Sequence, residues 1–357
     1  MGLDVVVLGA GLLGLSTADA LLQRGARVTL IEARPGPVRG TSHSNSGMIH
    51  PSQFRPWRPT GTGDVADEIA GRVVRDLAKS SAPMLRARIE ELGLTDAMAR
   101  PIGCYQLYPD VRAARNAQAR FAADDIRANV VIDPAATFGL PSLYFPDDTS
   151  ANARDYGEAL AADLSAHGAT IIYEGTDVRL RRVDGGVAAA LGAHRFRADH
   201  LVVACGVQSA AVLAQFELAL RVEPVRGWAV DFALPDDTEL PRVPVMDAKT
   251  RSALTVFGDT FRLSGTWNED SAKPLLERWV EIIPDAIAQV GKPLSVWSGL
   301  RPVSKAGRPF IGPTPVPGLW VNTGHGHLGW TLCTASGELL ARMMVEGETD
   351  ERFAFAG

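Results

Sequence analysis

A glycine-rich turn near the start of the chain constrains the fold more than any other feature of the sequence. Residues 4–8 are an apolar, β-branched run that predicts a short buried strand, and residues 12–23 have the spacing of an amphipathic helix. Between them, Gly9, Gly11 and Gly14 follow the G-x-G-x-x-G spacing. In such a turn the first glycine permits the tight bend, the second lets a pyrophosphate approach the backbone, and the third allows the helix to pack close to the strand.

A second strand and an acidic residue complete a dinucleotide-binding unit. Residues 27–31 predict a strand rich in β-branched residues, and Glu32 lies at its end, 18 positions after Gly14. A carboxylate there accepts hydrogen bonds from the ribose hydroxyls of an adenosine and repels a 2′-phosphate. The N–H groups at the helix start, at Leu12 and Leu13, would bind the pyrophosphate. The alternative is a tight strand-to-helix turn that binds no ligand.

The composition of the chain argues against several classes of protein. At 357 residues the chain is long for one hydrophobic core, so two domains are expected. Its apolar and charged contents are near average, and a net charge of −5 with scattered Lys and Arg gives no basic footprint for nucleic acid. Cys104, Cys205 and Cys333 are too few and too far apart for a disulfide framework or a zinc site, which favours a reducing compartment.

The sequence shows no membrane-spanning pattern. It contains no run of the roughly 18 apolar residues that a membrane span requires. Its first residues lack a basic region, and Asp4 precedes the apolar run, which argues against a signal peptide. A cytoplasmic location is therefore expected, and peripheral contact with a membrane remains open.

Nucleotide-binding patterns occur in three separate blocks, which are residues 1–50, 150–215 and 296–357. We expect these blocks to form one nucleotide-binding domain. Residues 51–149, which are largely helical in pattern, and residues 216–295, which alternate as strands, are expected to form a second domain for the substrate. The predicted helices are 65–92, 111–128, 153–167, 273–283 and 328–346, and the predicted strands are 170–173, 201–204, 222–232, 252–264 and 319–322.

Several sequence segments carry a resemblance to a known family. They are GAGLLG with Glu32, GTSHSNSGMIHPS at 40–52, AD-x-LVVACG at 198–206, PVRGW at 224–228, and GLRPVSKAGRPFIG followed by NTGHGHLGWT. On these segments the chain resembles the D-amino acid oxidase superfamily of FAD-dependent oxidoreductases over nearly its whole length. It is similar to bacterial D-amino acid dehydrogenases and, in its short length, to glycine oxidases. The last pair of segments best separates this family from ordinary nicotinamide dehydrogenases, because those enzymes have no C-terminal segment that contacts the cofactor in this way.

The resemblance implies a fold and an activity. The fold is α/β, with a Rossmann-like FAD-binding domain of the glutathione reductase type and a discontinuous α+β substrate domain that contains a mixed or antiparallel sheet. The activity is FAD-dependent oxidation of a D-amino acid, proline-like substrates included, to the imino acid and then the 2-oxo acid by hydride transfer to flavin N5. Oxygen or a quinone would accept the electrons. Many members of this family attach the flavin covalently through a cysteine, but residues 303–312 of this chain contain none. FAD is therefore expected to bind noncovalently.

The residues expected to bind FAD lie in the N-terminal unit, the polar loop after the second strand, a later strand and turn, and the motif GHGHLG. In that motif the glycine N–H groups and the helix start would stabilise the negative charge of reduced flavin at N1 and the C2 oxygen. His325 and His327 could form a catalytic or metal pair, but H-x-H without further ligands favours a structural role, and no metal is expected. The full set is Gly9, Gly11, Leu12, Leu13, Gly14, Glu32, Ala33, Arg34, Thr41, Ser42, Asn45, Ser46, Gly47, Met48, Val178, Gly206, Gly324, His325, Gly326, His327, Leu328 and Gly329.

Arg301 is the residue on which catalysis is expected to depend most. It lies in W-x-G-L-R-P, and the matching arginine of the family holds the substrate carboxylate as a bidentate ion pair, which suits the planar guanidinium. His50 lies where similar proteins often carry a small residue, so it predicts a smaller pocket or a hydrogen bond to a polar substrate group. A surface arginine and a solvent-facing histidine are the alternatives. Weaker candidates for the pocket wall are Arg226, Trp228, Arg262 and Trp267.

Other functions stay open from the sequence. Oxidation of glycine or sarcosine is the nearest alternative, since N-methyl amino acids are substrates in the same superfamily. A noncatalytic FAD-binding subunit would share the flavin motifs, and a nicotinamide-dependent dehydrogenase would share the first 50 residues but not NTGHGHLGW.

Overall fold

The computed structural model describes residues 2–55, 65–95, 102–176, 178–183, 186–191, 194–235 and 238–355. Its strands are β1 (Asp4–Leu8), β2 (Arg27–Ile31), β3 (Met48–Ile49), β4 (Cys104–Leu107), β5 (Asn129–Val131), β6 (Ser142–Phe145), β7 (Thr149–Ser150), β8 (Thr170–Ile172), β9 (Val178–Val183), β10 (Gly186–Leu191), β11 (His194–Ala198), β12 (His200–Val203), β13 (Val222–Ala233), β14 (Val245–Asp247), β15 (Ser252–Phe257), β16 (Thr260–Gly265), β17 (Ser295–Ser304), β18 (Phe310–Pro313) and β19 (Leu319–Thr323). Its α-helices are α1 (Leu12–Leu22), α2 (Val65–Glu91), α3 (Val111–Ala123), α4 (Pro134–Thr137), α5 (Ala153–Ala166), α6 (Ser209–Ala214), α7 (Lys273–Ile282), α8 (Pro284–Gln289) and α9 (Gly329–Val345).

The first sheet has the strand order β18-β19-β12-β1-β2-β8 and is parallel except for β18, which runs antiparallel to β19. Its central strands are apolar on both faces, and residues 5–8 and 201–203 are all buried. Such strands need cover on both sides. Helices α1, α5 and α9 cover one face, and the meander β9-β10-β11 covers the other. The carboxyl ends of β1 and β2 therefore open toward the start of α1, where α/β sheets bind ligands.

The second sheet has the strand order β17-β13-β16-β15-β14-β4-β6-β5 and is antiparallel except for the pair β14-β4. Helices α7 and α8 pack against one face, where Phe261 and Trp279 are fully buried. Because side chains alternate along a strand, the residues between those of this core, such as Arg262, point to the opposite face. That face lies against Asn45 and Ser46, which precede β3.

The predicted fold class is confirmed, and most predicted elements have the expected bounds. Strands β1 and β2 match the prediction, and α1, α5 and α9 end within one residue of it. The prediction of one continuous strand at 252–264 is wrong, because these residues form a hairpin of two strands, β15 and β16. Gly258, with a φ of 59°, provides the left-handed turn between them.

Some pairings differ from the sequence expectation. Strands β4, β5 and β6 lie within residues 51–149, for which the sequence predicts mainly helix, and they extend the second sheet. Strand β17 pairs with β13 along its length, so residues 296–304 belong to the second sheet, and the chain rejoins the first sheet at β18. Helix α2 packs against α9 rather than against the second sheet. The division of the chain into two domains remains a proposal.

Helices α1 and α9 approach at a contact that only a glycine permits. A Cβ on Gly337 would lie 2.4 Å from the Ser16 carbonyl oxygen of α1. The two helices also meet at their first turns, where the Leu13 side chain lies 3.5 Å from the position of a Cβ on Gly329. Both N-termini therefore face the same region. No helix in the described ranges is long and apolar enough to cross a bilayer.

Gly337→Val tests this contact. The added side chain must push α9 away from the α1 backbone, and overpacking of this kind costs about 1 to 3 kcal/mol. We expect a melting temperature several degrees lower by circular dichroism. Gly291→Val is the control, because Gly291 is exposed and has nothing within 4 Å of its Cβ position. Equal melting temperatures for the two variants would contradict the prediction.

Candidate functional site

A cavity of about 840 Å³ lies between the two sheets. Its wall includes the ends of β1 and β2, the first turns of α1 and α9, and parts of β13 and β17. Glu32 lines one end and Arg301 the other. The cavity therefore joins the residues predicted to bind the dinucleotide with the residue predicted to bind the substrate.

The glycine-rich turn has the close contacts expected of a dinucleotide site. Gly9 has a φ of 98°, and a Cβ there would lie 2.8 Å from the Ala204 carbonyl oxygen. A Cβ on Gly14 would lie 1.8 Å from the Gly9 carbonyl oxygen. Neither position can hold a larger residue without moving the backbone. Gly14 thus acts through packing, as the motif predicts.

Glu32 and Ser42 are fixed beside the first turn of α1. The Glu32 carboxylate accepts hydrogen bonds from the backbone N–H groups of Ala10 (2.8 Å) and Arg34 (3.0 Å). The Ser42 hydroxyl accepts one from the Leu12 N–H at 3.2 Å. A carboxylate at the end of β2 suits ribose hydroxyls, and a helix start with a hydroxyl beside it suits a pyrophosphate.

Residues 41–47, the cofactor loop, form the last part of the connection from β2 to β3 and are fixed to the second sheet by a buried ion pair. Arg262 donates to the Asn45 carbonyl at 2.9 Å and binds the Asp231 carboxylate through Nε (2.6 Å) and Nη2 (3.0 Å). Arg262 is 6% exposed and does not line the cavity. It is therefore an anchor of the cofactor loop and not a pocket wall, which corrects the weaker sequence interpretation.

The turn between β19 and α9 carries two buried histidines. His325 Nε2 lies 2.9 Å from the Ser336 hydroxyl, and His327 Nε2 donates to the Gln53 carbonyl at 3.0 Å. Burial lowers the pKa of His325 to about 3 and holds the pKa of His327 well below its usual value. Both rings are therefore neutral near pH 7. Within the described ranges, no group of three His, Cys, Asp or Glu side chains could hold a metal ion.

Arg301 lies on β17 with its guanidinium against β13. It donates to the carbonyls of Thr266 (3.0 Å), Gly265 (3.3 Å) and Arg226 (3.4 Å). A Cβ on Gly227 would lie 2.3 Å from Nη2, so glycine leaves the room that this side chain occupies. Burial lowers the pKa of Arg301 to about 10, and no described carboxylate lies within 4.0 Å of it. A charged guanidinium thus lines the cavity without a counterion from the described chain.

His50 is buried at 5% exposure, which rules out the solvent-facing alternative. Its backbone N–H donates to the Thr331 hydroxyl at 3.1 Å, and its ring lies edge-on to His327 with centroids 6.2 Å apart. Burial lowers the pKa of His50 to about 4, so the ring is neutral near pH 7. His50 can therefore offer a hydrogen bond to a ligand but not a charge.

Several buried polar atoms of the cavity wall have no hydrogen-bond partner among the described residues. They are His50 Nδ1, Ser264 Oγ, Trp297 Nε1, Asn322 Oδ1 and His325 Nδ1. Because buried polar atoms in native proteins are almost always paired, this concentration indicates a polar ligand. Together with the glycine turn and Glu32, the donor set fits FAD.

Most residues predicted to bind FAD line this one cavity, and His50 and Arg301 line it with them. The lining set contains Gly9, Gly11, Leu12, Leu13, Glu32, Ala33, Arg34, Thr41, Ser42, Asn45, Ser46, Met48, Val178, Gly206, His325, Gly326, His327 and Gly329. Gly14, Gly47, Gly324 and Leu328 do not line it and pack against neighbouring residues instead. Sequence reasoning did not single out Gly227 or Arg251, which lie in segments whose contacts depend on strand pairing.

A buried acid supports the segment that carries His50. Asp148 is fully buried, and its carboxyl accepts hydrogen bonds from the N–H and hydroxyl of Ser52. Burial raises the pKa of Asp148 to about 7, although the hydrogen bonds from Ser52 oppose this. The carboxyl must therefore ionise in the folded protein near neutral pH.

Asp148→Asn should stabilise the protein more at high pH than at low pH. Because the folded pKa lies above the ordinary value of 3.8, the stability contributed by this carboxyl is present below that value and is lost as the pH rises through about 7. An amide oxygen can still accept the hydrogen bond from the Ser52 N–H, the amide NH2 can donate to the Ser52 hydroxyl, and the amide does not ionise. Melting temperatures of variant and wild type are compared at about pH 5 and about pH 8.5. The exposed Asp270→Asn is the control, and a difference that does not grow with pH would refute the assignment.

Comparisons with known proteins agree with this geometry. Residues 4–343 match the FAD dependent oxidoreductase family. The D-amino acid dehydrogenase of Rhodopseudomonas palustris (strain HaA2) is 29% identical, with 98% of this chain and 96% of that protein covered. Glycine oxidase from Geobacillus kaustophilus shares the fold with a TM-score of 0.83 at 23% identity over 99% of this chain and 98% of that chain. L-proline dehydrogenase from P. horikoshii has a TM-score of 0.78 at 18% identity, with coverages of 98% and 94%. The chain therefore belongs to the FAD dependent oxidoreductase family and is an FAD-dependent enzyme.

Proposed function

We propose that this enzyme oxidises a D-amino acid at the carbon–nitrogen bond next to its carboxylate. The observation that carries the proposal is Arg301, a desolvated guanidinium that three carbonyls hold at one end of the cavity that fits FAD. A desolvated cation of this kind gains most from a carboxylate ligand. The similarity to D-amino acid dehydrogenase supports the same class of substrate.

The protein side chains bind and orient the substrate. Arg301 forms two parallel hydrogen bonds with the carboxylate and so points the α C–H toward the cofactor, which replaces a bimolecular encounter by a positioned one. The unpaired Nδ1 of neutral His50 accepts a hydrogen bond from the amine. His327 holds the Gln53 carbonyl and so fixes the segment after His50. No charged acid or base from these histidines is required near pH 7.

FAD, when bound, would supply the two-electron oxidant for the carbon–nitrogen bond, and water would convert the resulting imino acid to a 2-oxo acid and ammonia. The cysteines support noncovalent binding. Cys104 and Cys333 are buried, and Cys205 lies at the Glu32 end of the cavity with its thiol donating to the Leu8 carbonyl at 3.3 Å.

Oxygen or a quinone is the proposed electron acceptor, and the cytoplasm is the proposed location.

An anaerobic visible spectrum of the FAD-loaded protein tests the function. The protein is mixed in turn with D- and L-amino acids, D- and L-proline, glycine and sarcosine, and the loss of the flavin absorbance is followed. Bleaching by D-amino acids is the expected result, and the rate of recolouring in air separates oxidase from dehydrogenase. Bleaching by glycine or sarcosine alone, or by no compound, contradicts the proposal.

Arg301→Leu should keep FAD and lose substrate. Removal of this cation should cost about 2 to 5 kcal/mol of binding in ground and transition states. The expected loss in kcat/KM is roughly 30- to 5,000-fold. Arg115→Leu, on the exposed face of α3, is the control. A variant with normal FAD content and wild-type efficiency would show that Arg301 does not hold the carboxylate.

Gly227→Ala should displace the guanidinium without breaking the fold. Its Cβ would collide with the end of the flexible Arg301 side chain and not with backbone, so the arginine moves. A misplacement of about 1 Å lowers the rate on the order of 100-fold. Flavin reduction by the best substrate is measured, with Gly291→Ala as the control. Unchanged kinetics would mean that the position of Arg301 tolerates the extra methyl group.

A further inference from the structure

The strand that carries Arg301 lies at the edge of the second sheet. Strand β17 has β13 as its neighbour in the sheet, and the register places Arg301 opposite Val225. The guanidinium is held by three carbonyls that lie on this side of the strand, those of Arg226, Gly265 and Thr266. Backbone groups along the outer edge of an edge strand have no partner in the sheet. The position of Arg301 therefore also depends on what contacts that edge.

The cofactor loop contacts β17 just before the arginine. The Thr41 hydroxyl donates to the Leu300 carbonyl at 2.7 Å. A Cβ on Gly299 would lie 3.3 Å from the Cα of Thr41 and 3.4 Å from its Cγ2, so the glycine lets the loop approach the strand closely. The His43 ring lies against Trp297, with ring centroids 4.5 Å apart. Three contacts thus join this loop to the strand that bears Arg301.

A second cofactor segment contacts the same strand beyond the arginine. In the turn between β19 and α9, His325 forms an isolated antiparallel bridge with Val303. The Val303 Cγ2 also lies 3.9 Å from the position of a Cβ on Gly326. Arg301 is therefore placed between two points of β17, at Leu300 and Val303, that contact segments expected to bind FAD.

The single proton of the Thr41 hydroxyl is already used by the strand. A threonine hydroxyl can donate one hydrogen bond and accept two. Because the Leu300 carbonyl takes the proton, Thr41 can offer a ligand only its lone pairs. Thr41 lines the cavity, but its hydroxyl cannot donate to the oxygens of a pyrophosphate or of a flavin ring while this bond is present. The hydroxyl thus holds protein against protein.

We propose that Thr41 is a positioning residue for the substrate carboxylate, because its bond to Leu300 holds β17 where the Arg301 guanidinium can receive that carboxylate. This inference rests on the amino acid oxidation and on the role of Arg301 proposed above. In this assignment Thr41 touches no reacting atom and acts through Arg301. The loop that lies beside the cofactor also sets the place at which the substrate binds.

Thr41→Val tests the hydroxyl, since valine keeps the shape of the side chain. Loss of this hydrogen bond and the resulting shift of Arg301 should weaken carboxylate binding about tenfold. Two quantities should rise together: the apparent Kd of the best D-amino acid in anaerobic flavin reduction, and the Kd of propionate by calorimetry with the FAD-loaded protein. Propionate has no amine to oxidise. Thr41→Ser keeps the hydroxyl and should stay within about twofold of wild type.

Thr260→Val is the matched control. The Thr260 hydroxyl donates to the Phe257 carbonyl at 2.9 Å in the turn of the β15–β16 hairpin, and Thr260 does not line the cavity. The control loses the same kind of hydrogen bond and should bind both carboxylates as wild type does. The Kd of FAD, measured by equilibrium dialysis, should be unchanged in all three variants.

Several results would overturn the proposal. Thr41→Val could bind both carboxylates with wild-type affinity, or Thr260→Val could lose as much as it does. Weaker FAD binding with normal propionate binding in the loaded Thr41→Val protein would make Thr41 a cofactor ligand only.

Failure of the proposed function gives a different result. If no amino acid reduces the wild-type flavin, amino acid oxidation is wrong, and calorimetry with propionate still tests the link between Thr41 and a carboxylate site. If the wild type binds no propionate, the role of Arg301 fails and this inference fails with it.

Discussion

The close contact between α1 and α9 determines the geometry on which the rest of the site depends. Because Gly337 lets α9 lie against the Ser16 backbone, the first turns of both helices meet where Leu13 contacts Gly329. The positive ends of two helix dipoles then face one cavity. This suits a cofactor that carries a pyrophosphate at one point and gains negative charge on its ring when reduced. It also explains why the two flavin motifs lie near opposite ends of the chain.

Local patterns predicted the first sheet well, because its elements are defined by neighbours in sequence. The strand, turn, helix and strand over residues 4–31 follow from apolar spacing and three glycines alone. The second sheet depends on distant pairings. The segment Cys104–Leu107 forms a strand that pairs with Val245–Asp247, more than 130 residues away. Its own four residues do not predict this pairing. Residues 296–304 join the second sheet for the same reason, through pairing with Val222–Ala233.

The site shows the same division between local and distant determinants. The roles of Arg301 and Glu32 could be predicted, because each residue lies in a motif that indicates its ligand: a substrate carboxylate for Arg301 and ribose hydroxyls for Glu32. Gly227 could not, because its role depends on the register that places it beside the Arg301 guanidinium. Arg262 was only a weaker candidate for the pocket wall, and its place opposite Asp231 makes it the link between the cofactor loop and the second sheet. The loop and the sheet are thereby held in one arrangement before any ligand binds.

Trp330 has a consequence for observing this protein in solution. Its indole N–H donates to the Gly47 carbonyl at 3.0 Å, and its ring lies 5.0 Å from Tyr156. Trp330 and Trp297 both line the cavity. Indole emission overlaps the absorption of oxidised flavin, so a cofactor in this cavity quenches these two tryptophans by energy transfer. The fluorescence of the chain itself is thus an optical readout of cofactor loading that needs neither a substrate nor a label.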